Sequence, residues 1–285
     1  MSLAGFRVIK GRFHIRGFKP DGDSVRFSAE RRELFVGLRR EYKSISTTGD
    51  FQLRLEGIDA PETHYGLECQ PFGVLARDRL LALLGFTDIK HLEEKVVGCE
   101  PELVPGAVLT KGFDPHGRPI SYALLGEQPD LVDGTDLMVG VELLARTLNA
   151  QMIQQGFAYP LLYTSTPTTH RAWLRAQAAE AREHKLGVWA ADSSREFKLL
   201  DRTSICASTG ALIYPKFFRR SIDYLRQTAS GQFRGDFAAW LSATPHENDL
   251  VVINRLEVPL SQLFEQRNSK ITCQADLLDM IFVEK

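Results

Sequence analysis

The chain has few of the residues that build disulfide scaffolds or structural zinc sites, and it lacks long apolar runs. Only four cysteines occur among 285 residues, and no two of them form a Cys-x-x-Cys pair. This scarcity argues against a disulfide framework and fits a reducing compartment. No apolar run approaches the ~20 residues that span a bilayer, and the N-terminus leads straight into a strand-like segment without a signal peptide. We therefore expect a cytoplasmic protein with no membrane partner.

The chain also lacks an excess of charge of either sign. Thirty-five Lys and Arg residues face 36 Asp and Glu residues, which gives a formal net charge of -1. No global positive field marks a polyanion partner, so any nucleic-acid binding must come from a local patch. The composition, 44% hydrophobic and 25% charged, is that of a globular protein, and the length suggests about two domains.

The first ~190 residues combine short strands with a few helices, following the periods of two and 3.6 that mark these elements. Residues 30–43 fit either a short helix or an extended hairpin. Because strands and helices do not alternate regularly, the pattern predicts a small barrel with helices packed on it. The strands predicted in the middle of this region are 92–97, 107–110 and 119–125, and the predicted helices are 71–84, 136–155 and 169–185.

A change of composition at residues 190–195 predicts a linker, and with it two domains, 1–190 and 191–285. The second part is predicted to be a small α+β extension that docks on the first, because it is too short for a large core of its own. Arg219 and Arg220 lie within it, and three interpretations stay open: a solvated helix face, a phosphate contact or a partner site. The predicted elements here are helices 218–229 and 233–242 and strands 250–253 and 281–283.

Three carboxylates and two guanidiniums stand at predicted strand ends and turns, where side chains converge. Asp23, Asp59 and Glu62 offer the hard oxygens that suit Ca²⁺ or Mg²⁺. Arg54 and Arg118 each lie near an acidic group and could clamp a phosphate and stabilise charge that grows on it. The group therefore suits metal-assisted phosphate chemistry.

Each of these residues also has an ordinary interpretation when it is taken alone. Asp21-Gly-Asp23 is a common turn sequence, and Asp59-Ala-Pro-Glu62 could begin a helix with capping carboxylates. Arg54 could be a solvent-facing strand residue, and Arg118 an ordinary loop residue after a glycine.

Taken together and in order, these segments are similar to the staphylococcal nuclease-like (thermonuclease) family. The resemblance covers about residues 6–190, and an ordered set of segments is more specific than any one of them. The matching segments are Asp21-Gly-Asp-Ser-Val, the block from Arg54 to Ile-Asp-Ala-Pro-Glu-Thr63, Gly117-Arg118 with Ser121-Tyr122, the stretch 148–156 and the helix from His170 to Trp189.

The resemblance implies an α+β fold, a five-stranded oligonucleotide/oligosaccharide-binding (OB) barrel with three packed helices. It also implies a Ca²⁺-dependent endonuclease that acts on single-stranded DNA or RNA and leaves 3′-phosphate ends. Family positions place the Ca²⁺ ligands at the carboxylates of Asp23 and Asp59 and the backbone carbonyl of Ala60.

The same positions imply that Arg54 and Arg118 grip the scissile phosphate and that Glu62 acts as general base or orients the attacking water. Tyr163 is the candidate for stacking on a base. His116 lies beside Arg118 as a substrate contact, or it is simply a surface histidine.

The alternative is a module that binds nucleic acid or protein without catalysis. The near-neutral net charge and the scarcity of stacking tyrosines favour it. The long segments 30–50 and 86–112 could wall a cleft or bind a partner in either case.

Overall fold

The protein is described by a computed structural model that covers residues 5–40, 50–207 and 209–284. The chain divides into two compact units, each built from two stretches. The first unit is Met1–Glu56 with Arg77–Met152, and the second is Gly57–Ala76 with Ile153–Lys285. Since a compact unit is not by itself an independently folding domain, the boundary expected at residue 190 stays a prediction.

Seventeen strands are formed by the described residues. They are β1 (Phe6–His14), β2 (Arg26–Ala29), β3 (Asp50–Gln52), β4 (Arg54–Leu55), β5 (Ile58–Asp59), β6 (Thr87–Leu92), β7 (Lys95–Glu100), β8 (Val104–Phe113), β9 (Pro119–Leu125), β10 (Asp136–Leu137), β11 (Tyr159–Pro160), β12 (Glu196–Lys198), β13 (Leu250–Ile253), β14 (Leu256–Pro259), β15 (Phe264–Arg267), β16 (Lys270–Cys273) and β17 (Ile281–Phe282).

Six α-helices accompany them in the same ranges, together with short 3-10 turns. The helices are α1 (Gly73–Leu83), α2 (Val141–Ala145), α3 (Leu148–Gln154), α4 (Thr168–Glu183), α5 (Pro215–Ala229) and α6 (Phe237–Ala243). The 3-10 turns are Arg32–Phe35, Gly187–Ala190, Arg202–Ser204, Leu260–Leu263 and Leu277–Asp279. None of the described helices combines the length and apolar character that crossing a membrane requires.

The first unit is built on a curled sheet of seven strands in the order β3-β2-β1-β8-β9-β4, with β10 paired to β1. Residues 50–55 form β3, which pairs with β2, and then β4, which pairs in parallel with β9. Leu53 alone separates the two. The sheet has seven strands rather than the implied five for two reasons. Residues 50–55 are divided into β3 and β4, and β10 adds a short two-residue strand beside β1. The architecture is a half-barrel sheet with helices, an α+β fold of OB type.

Two predicted elements of the first unit are wrong. The helix expected over 136–155 is β10 followed by the separate helices α2 and α3. The hydroxyl of Thr147 donates to the carbonyl of Leu144 and accepts from the N–H of Ala150, so it ends one helix and begins the next. The strand expected over 92–97 is the β6–β7 hairpin, whose turn places Glu93 at φ +53°.

The segment 30–43, for which the sequence allows a short helix or a hairpin, contains neither an α-helix nor a hairpin in its described part, residues 30–40. Arg32–Phe35 forms a 3-10 turn, and Phe35 packs its buried ring 4.2 Å from the ring of Phe51. Residues 41–49 of the long 30–50 segment lie outside the described ranges.

The second unit holds a β5–β11 pair, two three-stranded sheets in the orders β12-β16-β15 and β14-β13-β17, and helices α4, α5 and α6. The helices predicted over 169–185 and 218–229 and the strands over 250–253 and 281–283 are confirmed to within a few residues. α5 begins with Pro215 in its first turn, where proline costs no hydrogen bond. Its apolar face is fully buried and consists of Phe217, Phe218 and Ile222.

Candidate active site

The segment that carries Asp59 is fixed by the short β5–β11 pair of the second unit. Asp59 lies opposite Tyr159 in this pair, and the N–H of Leu161 donates to the carbonyl of Gly57 at 3.0 Å. Gly57 has φ +78°, a conformation that favours glycine. Asp59 itself is only 2% exposed, and a carboxylate so buried requires partners.

The loop after β5 holds Ala60 and Glu62. Ala60 is buried, and the N–H of Glu62 donates to the side chain of Gln70 at 3.1 Å while its carbonyl accepts from the N–H of Gln70 at 2.9 Å. Gln70 in turn donates to the carbonyl of Ile213 at 2.7 Å. A Cβ added at Gly73 would lie 2.4 Å from the Glu62 carbonyl oxygen, so the loop passes where only glycine fits.

Arg219, on α5, is the partner of both acids. Its Nη1 and Nη2 donate to the two carboxylate oxygens of Asp59 at 3.0 and 2.9 Å, and Nη1 also donates to Glu62. This bidentate arrangement is the strong form of an arginine–carboxylate pair. The Arg219 side chain is 21% exposed.

Asp59 and Glu62 stabilise the positive charge of Arg219. Burial acts to lower the pKa of Arg219, but the negative charges of Asp59 and Glu62 and their hydrogen bonds outweigh it and raise that pKa well above the usual arginine value. The guanidinium is therefore a permanent cation between the two carboxylates.

A second contact of α5 lies one and two turns further along the helix, at Tyr65 in the same loop. The Tyr65 hydroxyl donates to Asp223 at 2.6 Å, and Arg226 donates to the Tyr65 carbonyl at 3.0 Å. Burial, followed by the bond to Asp223, raises the pKa of Tyr65 well above its usual value. Residues four and three apart on a helix share one face, so Arg219, Asp223 and Arg226 present one side of α5 to the loop.

Tyr163, the predicted stacking residue, is half-buried within the second unit. It forms a bridge with Phe282, whose ring centroid is 6.1 Å from its own. Lys216 donates to the Tyr163 hydroxyl at 3.4 Å and lies over both rings. Both partners, Lys216 and Phe282, belong to the C-terminal part of the chain. The role of Tyr163 in stacking stays a prediction.

Asp23 and Arg54 are neighbours in the first unit. Asp23 ends a turn closed by a backbone pairing of Asp21 with Ser24, and its carbonyl accepts from the N–H of Leu55 at 3.0 Å. Since Leu55 follows Arg54 in β4, the backbone of Asp23 lies alongside that of Arg54.

Arg118 belongs to the same region, in the turn between β8 and β9. It stands two residues before Ile120, the strand partner of Arg54. Its Nε donates to Asp114 at 2.7 Å, and the other oxygen of Asp114 accepts from the N–H groups of His116 and Arg118, each at 2.9 Å. The Asp114 side chain is only 1% exposed, whereas His116 is exposed. Asp114 thus anchors both the turn and the Arg118 guanidinium.

The eight predicted residues are distributed over the two units. Asp23, Arg54, His116 and Arg118 belong to the first, and Asp59, Ala60, Glu62 and Tyr163 belong to the second. Pairing within the first unit brings Asp23, Arg54 and Arg118 to neighbouring backbone segments, and the second unit brings Asp59 and Glu62 onto one guanidinium.

Sequence reasoning missed two residues that hold the others, Arg219 and Asp114. The interpretation of the Arg219–Arg220 pair as a solvated helix face is wrong, because Arg219 binds Asp59 and Glu62 while Arg220 pairs with Asp249 at 2.9 Å. The available signal was the position of Arg219 between Phe218 and Ile222 on an amphipathic helix. It places Arg219 near the apolar face but does not say which acid it meets.

Comparison with known families finds a match to about half of the chain. Residues 52–191 match the family model described as "Staphylococcal nuclease homologue". The chain contains a staphylococcal nuclease homologue domain. The match includes Arg54, Asp59, Ala60, Glu62 and Arg118 and ends before α5. No curated protein was found to match the chain at a significant level.

The nuclease homologue domain raises the question of a metal ion. Carboxylate and backbone carbonyl oxygens, as offered by Asp59 and Ala60, are ligands that suit Ca²⁺. Both Asp59 oxygens, however, accept hydrogen bonds from Arg219. In the described ranges 5–40, 50–207 and 209–284, no group of three or more His, Cys, Asp or Glu is arranged to hold a metal. The donor chemistry thus fits a cation, and a guanidinium is its present partner.

Proposed function

We propose that the protein is a nuclease that hydrolyses phosphodiester bonds of single-stranded DNA or RNA. The observation that carries the proposal is the match of residues 52–191 to the nuclease homologue family, with both family arginines and both family acids of this range present. The OB-type sheet of the first unit supports it, because such sheets suit single strands.

Two arginines neutralise the substrate in the proposed reaction. Arg54 and Arg118 bind the scissile phosphate, and their charges stabilise the additional negative charge of the five-coordinate phosphorus. Asp114 holds Arg118 through Nε, which fixes the direction of the guanidinium. Among the described residues its Nη groups have no hydrogen-bond partner, so they can face a phosphate.

Glu62 is proposed to take a proton from the attacking water or to orient it. The water oxygen forms the new bond to phosphorus, the bond from phosphorus to the 5′ oxygen breaks, and the 5′ hydroxyl leaves with a proton. The phosphate then stays on the 3′ end of the other fragment, which is the family's product.

Ca²⁺ is the proposed cofactor, with the carboxylates of Asp23 and Asp59 and the carbonyl of Ala60 as its ligands. When bound, such an ion polarises a nonbridging phosphate oxygen. His116, exposed next to Arg118, and Tyr163 are proposed to contact the nucleotides that flank the cleaved bond.

The test is cleavage of labelled single-stranded DNA and RNA in Ca²⁺, in Mg²⁺ and in EDTA. Wild type should cut in Ca²⁺ and stop in EDTA, and Arg118→Ala should lower kcat by about 10²–10³, the usual loss for one transition-state donor. Arg267→Ala is the matched control, since its side chain is 86% exposed, and it should cut normally. Undiminished cleavage by Arg118→Ala would contradict the assigned role.

A non-catalytic binding module is the second candidate. It is favoured by the pairing of Arg219 with both Asp59 and Glu62, which occupies a predicted metal ligand and the predicted base together. Binding of single strands without turnover in saturating Ca²⁺ would select this alternative.

A further inference from the structure

The carboxylates of Asp59 and Glu62 share a cation that the chain itself supplies. Arg219 contributes one positive charge to two negative ones, and its bidentate bonds take both oxygens of Asp59. A divalent ion bound to Asp59 would need at least one of those oxygens and would stand next to a like charge. The guanidinium and the ion therefore compete for Asp59 in this arrangement.

The backbone of α5 is fixed on both sides of Arg219. Phe217, Phe218 and Ile222 are fully buried, and Arg220 binds Asp249 at 2.9 Å. The helix cannot retreat without exposing this core. The Arg219 side chain is nevertheless partly exposed, so it can leave Asp59 by rotating about its own bonds.

We propose that Arg219 sets the affinity of the Asp59–Glu62 pair for divalent cations, because its guanidinium competes with the ion for the Asp59 carboxylate. The inference deepens the proposed function by naming a residue outside the family match that controls the ion requirement. Arg219 acts through Asp59 and is a positioning residue.

The experiment is a calorimetric titration of the full chain with Ca²⁺, without nucleic acid. Arg219→Gln should bind Ca²⁺ about tenfold or more tightly than wild type, the scale on which a charge at hydrogen-bond distance changes a carboxylate's preference. Adding Asp59→Asn to Arg219→Gln should abolish the gain. Ca²⁺ should also raise the melting temperature of Arg219→Gln more than that of wild type.

Arg220→Gln is the matched control. It removes the same charge from the next residue of α5, but its guanidinium pairs with Asp249 and Glu247 rather than with Asp59. Its Ca²⁺ affinity should stay close to that of wild type. An equal gain in Arg219→Gln and Arg220→Gln would overturn the inference in favour of a general charge effect.

Equal affinities of wild type and Arg219→Gln would also overturn it, as would a gain that survives Asp59→Asn. If Arg219→Gln fails to fold, Arg219→Lys decides the question, since it keeps the charge and loses the bidentate bond; unchanged Ca²⁺ affinity in a folded Arg219→Lys would then contradict the inference. None of these measurements requires hydrolysis. An inactive protein that shows the expected gain would refute the proposed nuclease but not the role of Arg219.

Discussion

At the scale of single residues, the acids and arginines of the candidate site are held by partners that lie at very different distances along the chain. Asp114 stands four residues before Arg118 and organises its turn. Arg219 stands 160 residues after Asp59. The local partner lay within one motif, and a near-neighbour acid could be inferred from it. The distant partner could not be identified, because nothing in a helical arginine specifies which acid it meets.

Replacing Asp114 tests its structural and functional contributions separately. Asp114→Ala leaves the partly buried N–H groups of His116 and Arg118 without their acceptor, and we expect a loss of about 1–3 kcal/mol in the free energy of unfolding. Urea denaturation measures this loss.

Asp114→Asn is the comparison for that variant. The amide oxygen can still accept from the N–H groups of His116 and Arg118, so stability should largely return, but the charge that holds Arg118 is gone. We expect weaker substrate binding, a higher KM, in both variants. Equal unfolding free energies for Asp114→Ala and wild type would contradict the role of Asp114 in the turn.

At the scale of elements, α5 connects the C-terminal part of the second unit to the loop of residues 59–70. One side of the helix meets the loop through Arg219, Asp223 and Arg226. Lys216 and Arg220 both bind the buried carboxylate of Asp249. Lys216, Arg219 and Arg220 of α5 each bind at least one acid, and Lys216 and Arg220 share the same one.

Removing Asp249 should destabilise this helix. Asp249→Ala leaves the buried ammonium of Lys216 without its acid, and losing one partner of a buried ion pair costs about 3–5 kcal/mol. Urea unfolding of full-length protein measures the change.

Glu247→Ala is the matched control, because Glu247 pairs with Arg220 and His246 but not with Lys216, and is more exposed than Asp249. It should cost about 1 kcal/mol or less, the range of exposed pairs. Similar losses in the two variants would contradict the assignment of Asp249 as the central acid of this network.

The elements show where sequence patterns succeed. α4 and β13 were predicted well, since an amphipathic run of sixteen residues and a short β-branched run each carry one clear period. The prediction of one helix over 136–155 is wrong at Thr147, whose hydroxyl bonds to the backbone of Leu144 and Ala150 and so separates α2 from α3. The β6–β7 hairpin was not predicted, because the turn residue with a positive φ is Glu93, and glutamate is not a residue type that marks turns.

At the scale of the whole molecule, the family match and the second unit do not coincide. The match ends at residue 191, whereas the second unit continues to the C-terminus. Residues inside the match contact residues beyond its end. Gln70 donates to the carbonyl of Ile213, the ring centroids of Tyr159 and Tyr214 are 5.6 Å apart, and Tyr163 forms a backbone bridge with Phe282.

A chain that ends after residue 191 should therefore be less stable than the full protein. Losing about 3–5 kcal/mol of these contacts would lower the melting temperature by about 10 °C, at roughly 2–4 °C per kcal/mol for a protein of this size. Thermal unfolding followed by circular dichroism measures it. An unchanged melting temperature would instead show that the chain up to residue 191 folds without the C-terminal part, in agreement with the predicted domain 1–190.

Arg219 lies outside the range that matches the family, and this position has a consequence for evolution. A relative that lost the C-terminal part would keep every acid and arginine of residues 52–191, yet it would lose the arginine that here binds both Asp59 and Glu62. Two such proteins would look equivalent in any inventory of family residues. Under the proposed competition they would nevertheless bind Ca²⁺ at different concentrations, because the residue that sets the affinity lies outside the matched range 52–191.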